Sequence, residues 1–495
     1  MKLFTLGDSI SQGFMSLSAA RTDLAYSTLI AQKLGLTPQK DYRFADWPHG
    51  GIPVNIEAIM RSLNRRYGPD IQGLEWLTVL ETINRVVDQA EDYYERGEGR
   101  HTIPSNNGQV EYFHNVAVRG FNVSDAWQVT PKLCRETIEQ NRPILWGDGY
   151  LSGADNPYYR TALRVLNPSL DPKYDDYSQL KWMEKHAQEE GIENCIIWLG
   201  ANNALSTVID LKIRQTPNNP EKRPYTLSHI EKAKERKWNL WHPYDFEADY
   251  REFMRQVSAI MAKNRAKKWN VFIATVPLVT IAPLAKGVGE TTYIEDKGIY
   301  YKYYTFFPFE EDFAVKTGKH LTMQDAIYID DCIRYYNKTI EACVKEANEQ
   351  SGTKGQYHIV DIAQALNQIA YKRNAGQPTY DFPEYFRFIH PQVNTKYYHA
   401  DSEGELKQGG IFSLDGVHPT AIGHGLIAYE FLTKMKEAGV VADTDLDWAK
   451  IFANDTLYTQ PITLMQEIYG KDSLAKHIVN LIQLFSNDFP LTTHG

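Results

Sequence analysis

Five short apolar runs, at residues 2–6, 110–118, 195–199, 271–276 and 358–362, alternate along the chain with longer stretches of helical spacing. Those stretches cover 124–140, 180–190, 246–264, 323–349 and 421–436. Gly191 and Gly352 punctuate their ends, and Pro419 precedes the last. Strands separated by helices have one economical arrangement, a mostly parallel sheet with helices on both faces, so the chain is expected to be α/β. Sheets of that kind hold their ligands beyond the carboxyl ends of the strands.

The connections are unusually long. Residues 35–110, 204–244, 280–320 and 371–412 exceed ordinary links between core elements and are expected to form subdomains or lids. The first contains a helical stretch at 76–95, and 440–495 reads as a largely helical C-terminal extension. No internal repeat or low-complexity tract breaks the chain. One core over 1–439 with four insertions, followed by the 440–495 extension, is the expected organisation.

Several partner classes are excluded early. A net charge of -9 argues against nucleic acid, because a phosphate-binding surface needs an excess of Lys and Arg. No run of about 18 apolar residues is present, so no transmembrane span is expected. The chain begins without the apolar stretch of a signal peptide, which makes the cytoplasm the default compartment, although a processed secreted chain reads the same way. Cys134, Cys195, Cys332 and Cys343 lack metal-site or redox spacing and are expected to be free thiols. The aromatic run from Tyr300 to Phe309 could line a site for an acyl chain, a glycan or a membrane interface, but fits a subdomain core better. His49, His114 and His424 lie near the motifs and are expected to be structural or exposed.

Four short stretches carry chemistry. Ser9, in Gly7-Asp8-Ser9, sits at a strand-to-helix turn, where a hydroxyl is exposed above the sheet. Asp415 and His418 are three residues apart in Asp415-Gly416-Val417-His418-Pro419. A carboxylate accepting the imidazole Nδ1 proton there leaves Nε2 able to take a proton from a serine. Gly120 closes the stretch that begins at Asn115, and glycine lets a backbone N–H approach a ligand closely. Asn202, in Gly200-Ala201-Asn202-Asn203, follows a buried strand, where its amide could donate to a developing oxyanion. Each stretch alone has an ordinary explanation as a cap, a turn or a surface pair. A zinc site fits poorly, since no His-Glu-x-x-His spacing or second His cluster occurs.

In that order, each beside an expected strand end or helix start, the four blocks resemble the SGNH branch of the GDSL esterase/lipase family. The resemblance covers the core strands and not the insertions or the extension. It implies a flavodoxin-like three-layer α/β/α core and hydrolysis of a carboxylic ester, such as a lipid or an acylated sugar, without metal or organic cofactor. Ser9 would be the nucleophile, His418 the base and then acid, and Asp415 its orienter. The Ser9 and Gly120 N–H groups and the Asn202 amide would form the oxyanion hole. Two positions depart from the family pattern, Asn203 where Asp is usual and Ala117 where Gly is usual. Carbohydrate O-deacetylation, acyl transfer to another acceptor, or ligand binding without catalysis are the alternatives on the same fold.

Overall fold

The structure is a computed structural model that describes residues 1–48, 50–52, 54–91, 93–94, 110–140, 156–352, 355–470 and 472–484. Its centre is a parallel sheet. β1 (Phe4–Gly7), β2 (Asn194–Trp198) and β3 (Trp269–Ala274) pair side by side in chain order. The chain then leaves for an antiparallel sheet of β4 (Ala285–Ile294), β5 (Gly298–Phe306) and β6 (Leu321–Thr322). It returns as β7 (Gly355–Val360), parallel to β3, giving the order β1-β2-β3-β7.

Side-chain alternation explains why β1, β2 and β3 read as largely apolar runs: odd and even positions face different helical layers, and in these three strands both are largely buried. Phe4, Leu6, Cys195, Ile197, Val271 and Ile273 belong to one core cluster, which also takes Trp182, Phe253 and Ile340 from the helices Gln179–Glu189, Pro243–Ala262 and Met323–Ser351. Ile196, Trp198, Phe272, Ala274 and Val360 face the other way. There they meet Tyr26 and Ile30 of the helix Tyr26–Lys33, and Phe431 and Leu432 of Ala421–Glu437.

Two expectations need correction. The run at 110–118 is not a fifth strand of the sheet. It lies along the outer edge of β1 with parallel bonds, Thr5 N–H to His114 O and Val116 N–H to Thr5 O at 2.9 Å each and Val118 N–H to Gly7 O at 3.1 Å. On its other side the His114 and Asn115 N–H groups both turn to the Arg43 carbonyl, at 2.8 and 3.2 Å, leaving one isolated bridge at Asn115. The expected helix at 124–140 is two, Asp125–Gln128 and Pro131–Gln140. Pro131 cannot donate to the preceding turn and favours extended backbone just before it, so the helix restarts there. The helix expected at 76–95 is observed as Trp76–Glu91, and residues 92 and 95 lie outside the described set.

The insertions pack against the core. Tyr300, Tyr304, Phe306, Phe307 and Phe309 are buried in the same cluster as the parallel sheet, so the aromatic run is not the core of a separate subdomain. Lys372, from the last insertion, donates to the Thr280 and Ala282 carbonyls at 2.8 Å each and holds the loop after β3 in place. The C-terminal extension docks on the first insertion and on the helix Ala421–Glu437. Asn64 Oδ1 accepts from the Thr463 hydroxyl and the Leu464 N–H at 2.7 Å each, and Asp455 accepts the Ile422 N–H at 3.1 Å. No helix among the described residues is long and apolar enough to cross a membrane.

Candidate active site

β1 ends at Gly7, and the chain turns at once into the short helix Ser9–Gln12, with Asp8 as its cap accepting the Ile10 N–H at 3.1 Å. The turn tolerates no side chain at its first position: a Cβ on Gly7 would stand 2.4 Å from Ser11 Oγ and 2.8 Å from the Trp198 carbonyl. Ser9 is thereby carried just past the carboxyl end of the strand. It is 4 % exposed.

The partner comes from the other end of the chain. Residues 413–418 form a turn closed by the Ser413 N–H donating to the His418 carbonyl at 2.8 Å, with Gly416 at φ +65° packed against the Leu284 backbone. Within it Asp415 Oδ2 meets His418 Nδ1 at 2.6 Å, and His418 Nε2 meets Ser9 Oγ at 2.9 Å. The Asp415 carboxylate also accepts the Val417 and His418 N–H groups at 2.8 Å each and the Leu17 N–H at 2.5 Å. Burial alone would raise its pKa. His418, with its charge and hydrogen bonds, and the Val417 N–H outweigh that and hold the carboxyl below its usual range. It stays ionised and fixes the imidazole from one side.

Gly120 has φ +80°, and a Cβ there would press on the Tyr158 ring at 3.1 Å. Its neighbours anchor it to both halves of the site. The Arg119 N–H donates to Gln12 Oε1 on the serine helix at 2.6 Å, and the Phe121 carbonyl accepts from Asn202 Nδ2 at 2.9 Å. Asn202 leads out of β2, and the same amide nitrogen lies 3.3 Å from Asp8 Oδ2. One amide hydrogen is thus firmly committed and the other only loosely held. Asn203 is a strut: its buried side chain accepts the Val123 N–H at 3.2 Å. Ala117 is buried, and its N–H bonds Asn115 Oδ1 at 3.0 Å. Both positions that depart from the pattern of the family the chain resembles are thus tied into the surrounding loops.

All five residues singled out in the sequence come together in this way, Ser9, His418 and Asp415 in one hydrogen-bonded chain with Asn202 and the Gly120 loop beside it. An apolar cavity opens next to them, with Ser9, Asn202 and His418 in its wall. His114 and His424 are both pushed down to about 3, chiefly by burial, so they remain neutral packing groups. His49 lies outside the described residues. The four cysteines are buried free thiols. Among the described residues no group of three or more His, Cys, Asp or Glu is gathered as metal ligands would be.

The residues that sequence reasoning missed are the supports. Gln12 and Gln179 are examples, the latter donating to the Gly7 and Val116 carbonyls at 2.9 and 2.7 Å. Asp8 is the most consequential. Burial lifts its carboxyl to about 7, against smaller opposing effects of the Ile10 N–H and His418. Because the unfolded group ionises near 3.8, the unfolded chain sheds a proton between that pH and about 7 that the folded chain keeps. Stability from this group is therefore present below pH 3.8 and is lost as pH rises through about 7. Asp8→Asn is expected to gain thermal stability relative to the parent at pH 8 and to lose that advantage by pH 4. Melting curves at the two pH values check it, and a pH-independent difference would contradict the assignment.

Comparison with protein-family models, with curated proteins and with solved structures yields no match.

Proposed function

We propose that this protein is a serine hydrolase that cleaves carboxylic esters through an acyl-enzyme. The observation that carries the reading is the unbroken Ser9–His418–Asp415 chain at 2.9 and 2.6 Å, formed by residues more than 400 positions apart in sequence. Topology supports it. With the edge segment at 113–118 counted beside β1, the parallel segments run in the chain order second, first, third, fourth, fifth, which is the flavodoxin-like order. Ser9 follows the first segment and Asn202 the third, so they flank the place where the order reverses, where such sheets bind ligands. The SGNH branch of the GDSL esterases is the family this arrangement fits.

In the proposed reaction His418 Nε2 takes the Ser9 proton as Oγ attacks the ester carbonyl carbon. The carbonyl electron pair moves to oxygen, facing the N–H groups of Ser9 and Gly120 and the Asn202 amide. Collapse expels the alkoxide, which leaves as an alcohol with the proton from His418. A water then repeats the sequence on the acyl-enzyme, releasing the carboxylic acid and restoring Ser9. Asp415 stays ionised throughout and stabilises the imidazolium.

Asn202 contributes only where charge develops, so its removal should act on kcat more than on KM. Asn202→Ala is expected to lower kcat on p-nitrophenyl butyrate by about 10²- to 10³-fold with a small change in KM. Steady-state kinetics on the folded variant test this, and a loss below about threefold would remove Asn202 from the oxyanion hole. The hydrolase reading itself is tested by the Ser9→Ala protein.

A further inference from the structure

The cavity beside Ser9 has a direction. The helix Ala421–Glu437 starts three residues after His418 and turns Gly423, Leu426 and Glu430 into the cavity wall. The helix Ile362–Ile369 faces it with Ile362, Ala365 and Ile369. In both helices the lining residues are spaced three and four apart, so each presents one continuous face over two turns, about 10 Å of axis. Leu426 and Ile369 are 3 % and 4 % exposed, so this wall is dry. It ends in a polar pair, the Tyr380 hydroxyl donating to the Glu430 carboxylate, whose pKa is raised by burial. The cavity volume is about 100 Å³.

We propose that this channel is the acyl subsite and that it measures an unbranched acyl chain of about four to eight carbons, tail towards Tyr380 and Glu430. The proposal rests on Ser9 as the acyl-accepting nucleophile. The volume sets what enters without adjustment: a cavity of about 150 Å³ holds the six carbons of benzene, so the present space takes about four, and a longer chain widens it. The upper bound comes from length. A two-turn wall of about 10 Å accommodates an extended chain of about eight carbons, given carbon–carbon bonds of about 1.5 Å laid in a zigzag. Beyond that the chain would displace the Tyr380–Glu430 hydrogen bond and leave two partly buried polar groups unpaired. An acetyl group, in contrast, would leave most of the apolar wall uncovered.

The test is a kcat/KM series on p-nitrophenyl acetate, butyrate, octanoate and laurate, for the parent protein, Leu426→Phe and Ala365→Leu. The two substitutions narrow the channel from opposite helices, so the failure of either to fold leaves the other. The parent should favour butyrate and octanoate over acetate and over laurate by about tenfold, and each substitution should lower the octanoate-to-acetate ratio at least tenfold. Octanoate titrated calorimetrically into the Ser9→Ala protein should bind saturably, with acetate giving no comparable response. Ser9-dependent turnover at equal rates on acetate and octanoate, unchanged by either substitution, overturns the subsite and leaves the hydrolase standing. Laurate turned over as well as octanoate overturns the length limit. A preference that follows the alcohol instead, octyl acetate over butyl acetate, overturns the acyl assignment. No Ser9-dependent turnover on any ester overturns the hydrolase and the subsite with it.

Discussion

Ser9→Ala is expected to lower kcat on p-nitrophenyl butyrate by about 10⁴- to 10⁶-fold, down to the residual rate that binding and the oxyanion donors supply on their own. The size follows from covalent catalysis. Without Oγ no acyl-enzyme forms, and His418 has no proton to take from its 2.9 Å partner. The substitution deletes one hydroxyl from a residue whose position is set by the Asp8 cap and the Gly7 turn, so the fold should persist. A melting curve close to that of the parent, together with lost turnover, is the expected pair of results. A folded Ser9→Ala protein within tenfold of the parent rate would remove Ser9 from the reaction.

The second large effect is at Asp415. Its carboxylate receives N–H groups on both edges, Val417 and His418 on Oδ1 and the Leu17 N–H with the His418 imidazole on Oδ2. Asparagine keeps the shape and supplies one acceptor edge. Whichever way it is turned, its NH₂ then points at two donors or forces the imidazole into the tautomer whose Nε2 carries the proton and cannot act as a base. Asp415→Asn should therefore cost about 10⁴-fold in kcat at neutral pH. KM should change little, since Asp415 is 1 % exposed and lies behind His418. A loss of under about tenfold would mean that the imidazole is oriented by something else. The same substitution should also destabilise the 413–418 turn, because two buried N–H groups would lose a charged acceptor, at about 1–3 kcal/mol each.

Much of the core was legible in the sequence, for a physical reason. A strand buried on both faces must be apolar throughout, and Cys195 to Leu199 or Val271 to Val276 announce themselves with no partner in view. The edge segment at 113–118 was misread because composition reports burial and not pairing. Val116 and Val118 are buried, but the Val116 carbonyl accepts from the Gln179 side chain at 2.7 Å rather than from β1, so the bridge at Asn115 does not extend into a strand. The break at Pro131 could have been read from the proline itself. At the site, the residues proposed to touch substrate carry recognisable chemistry, which is why the sequence singles them out. Those that hold them are ordinary residues made important by distant partners. Gln12 matters because Arg119 lies against it, and Asp8 because burial and Asn202 surround it. The docking of residues 455–464 onto Asn64 and Ile422 was equally invisible, since nothing local in either segment records the other.

Modification by a fluorophosphonate, followed by mass spectrometry of the digested protein, tests the central claim most directly, because the reagent reacts with a serine made nucleophilic by its neighbours and leaves ordinary serines alone. The account predicts one adduct per chain, on Ser9, lost in Asp415→Asn at neutral pH over the same interval. No adduct on folded protein, or an adduct on a different serine with ester turnover lost in step with it, would contradict the account.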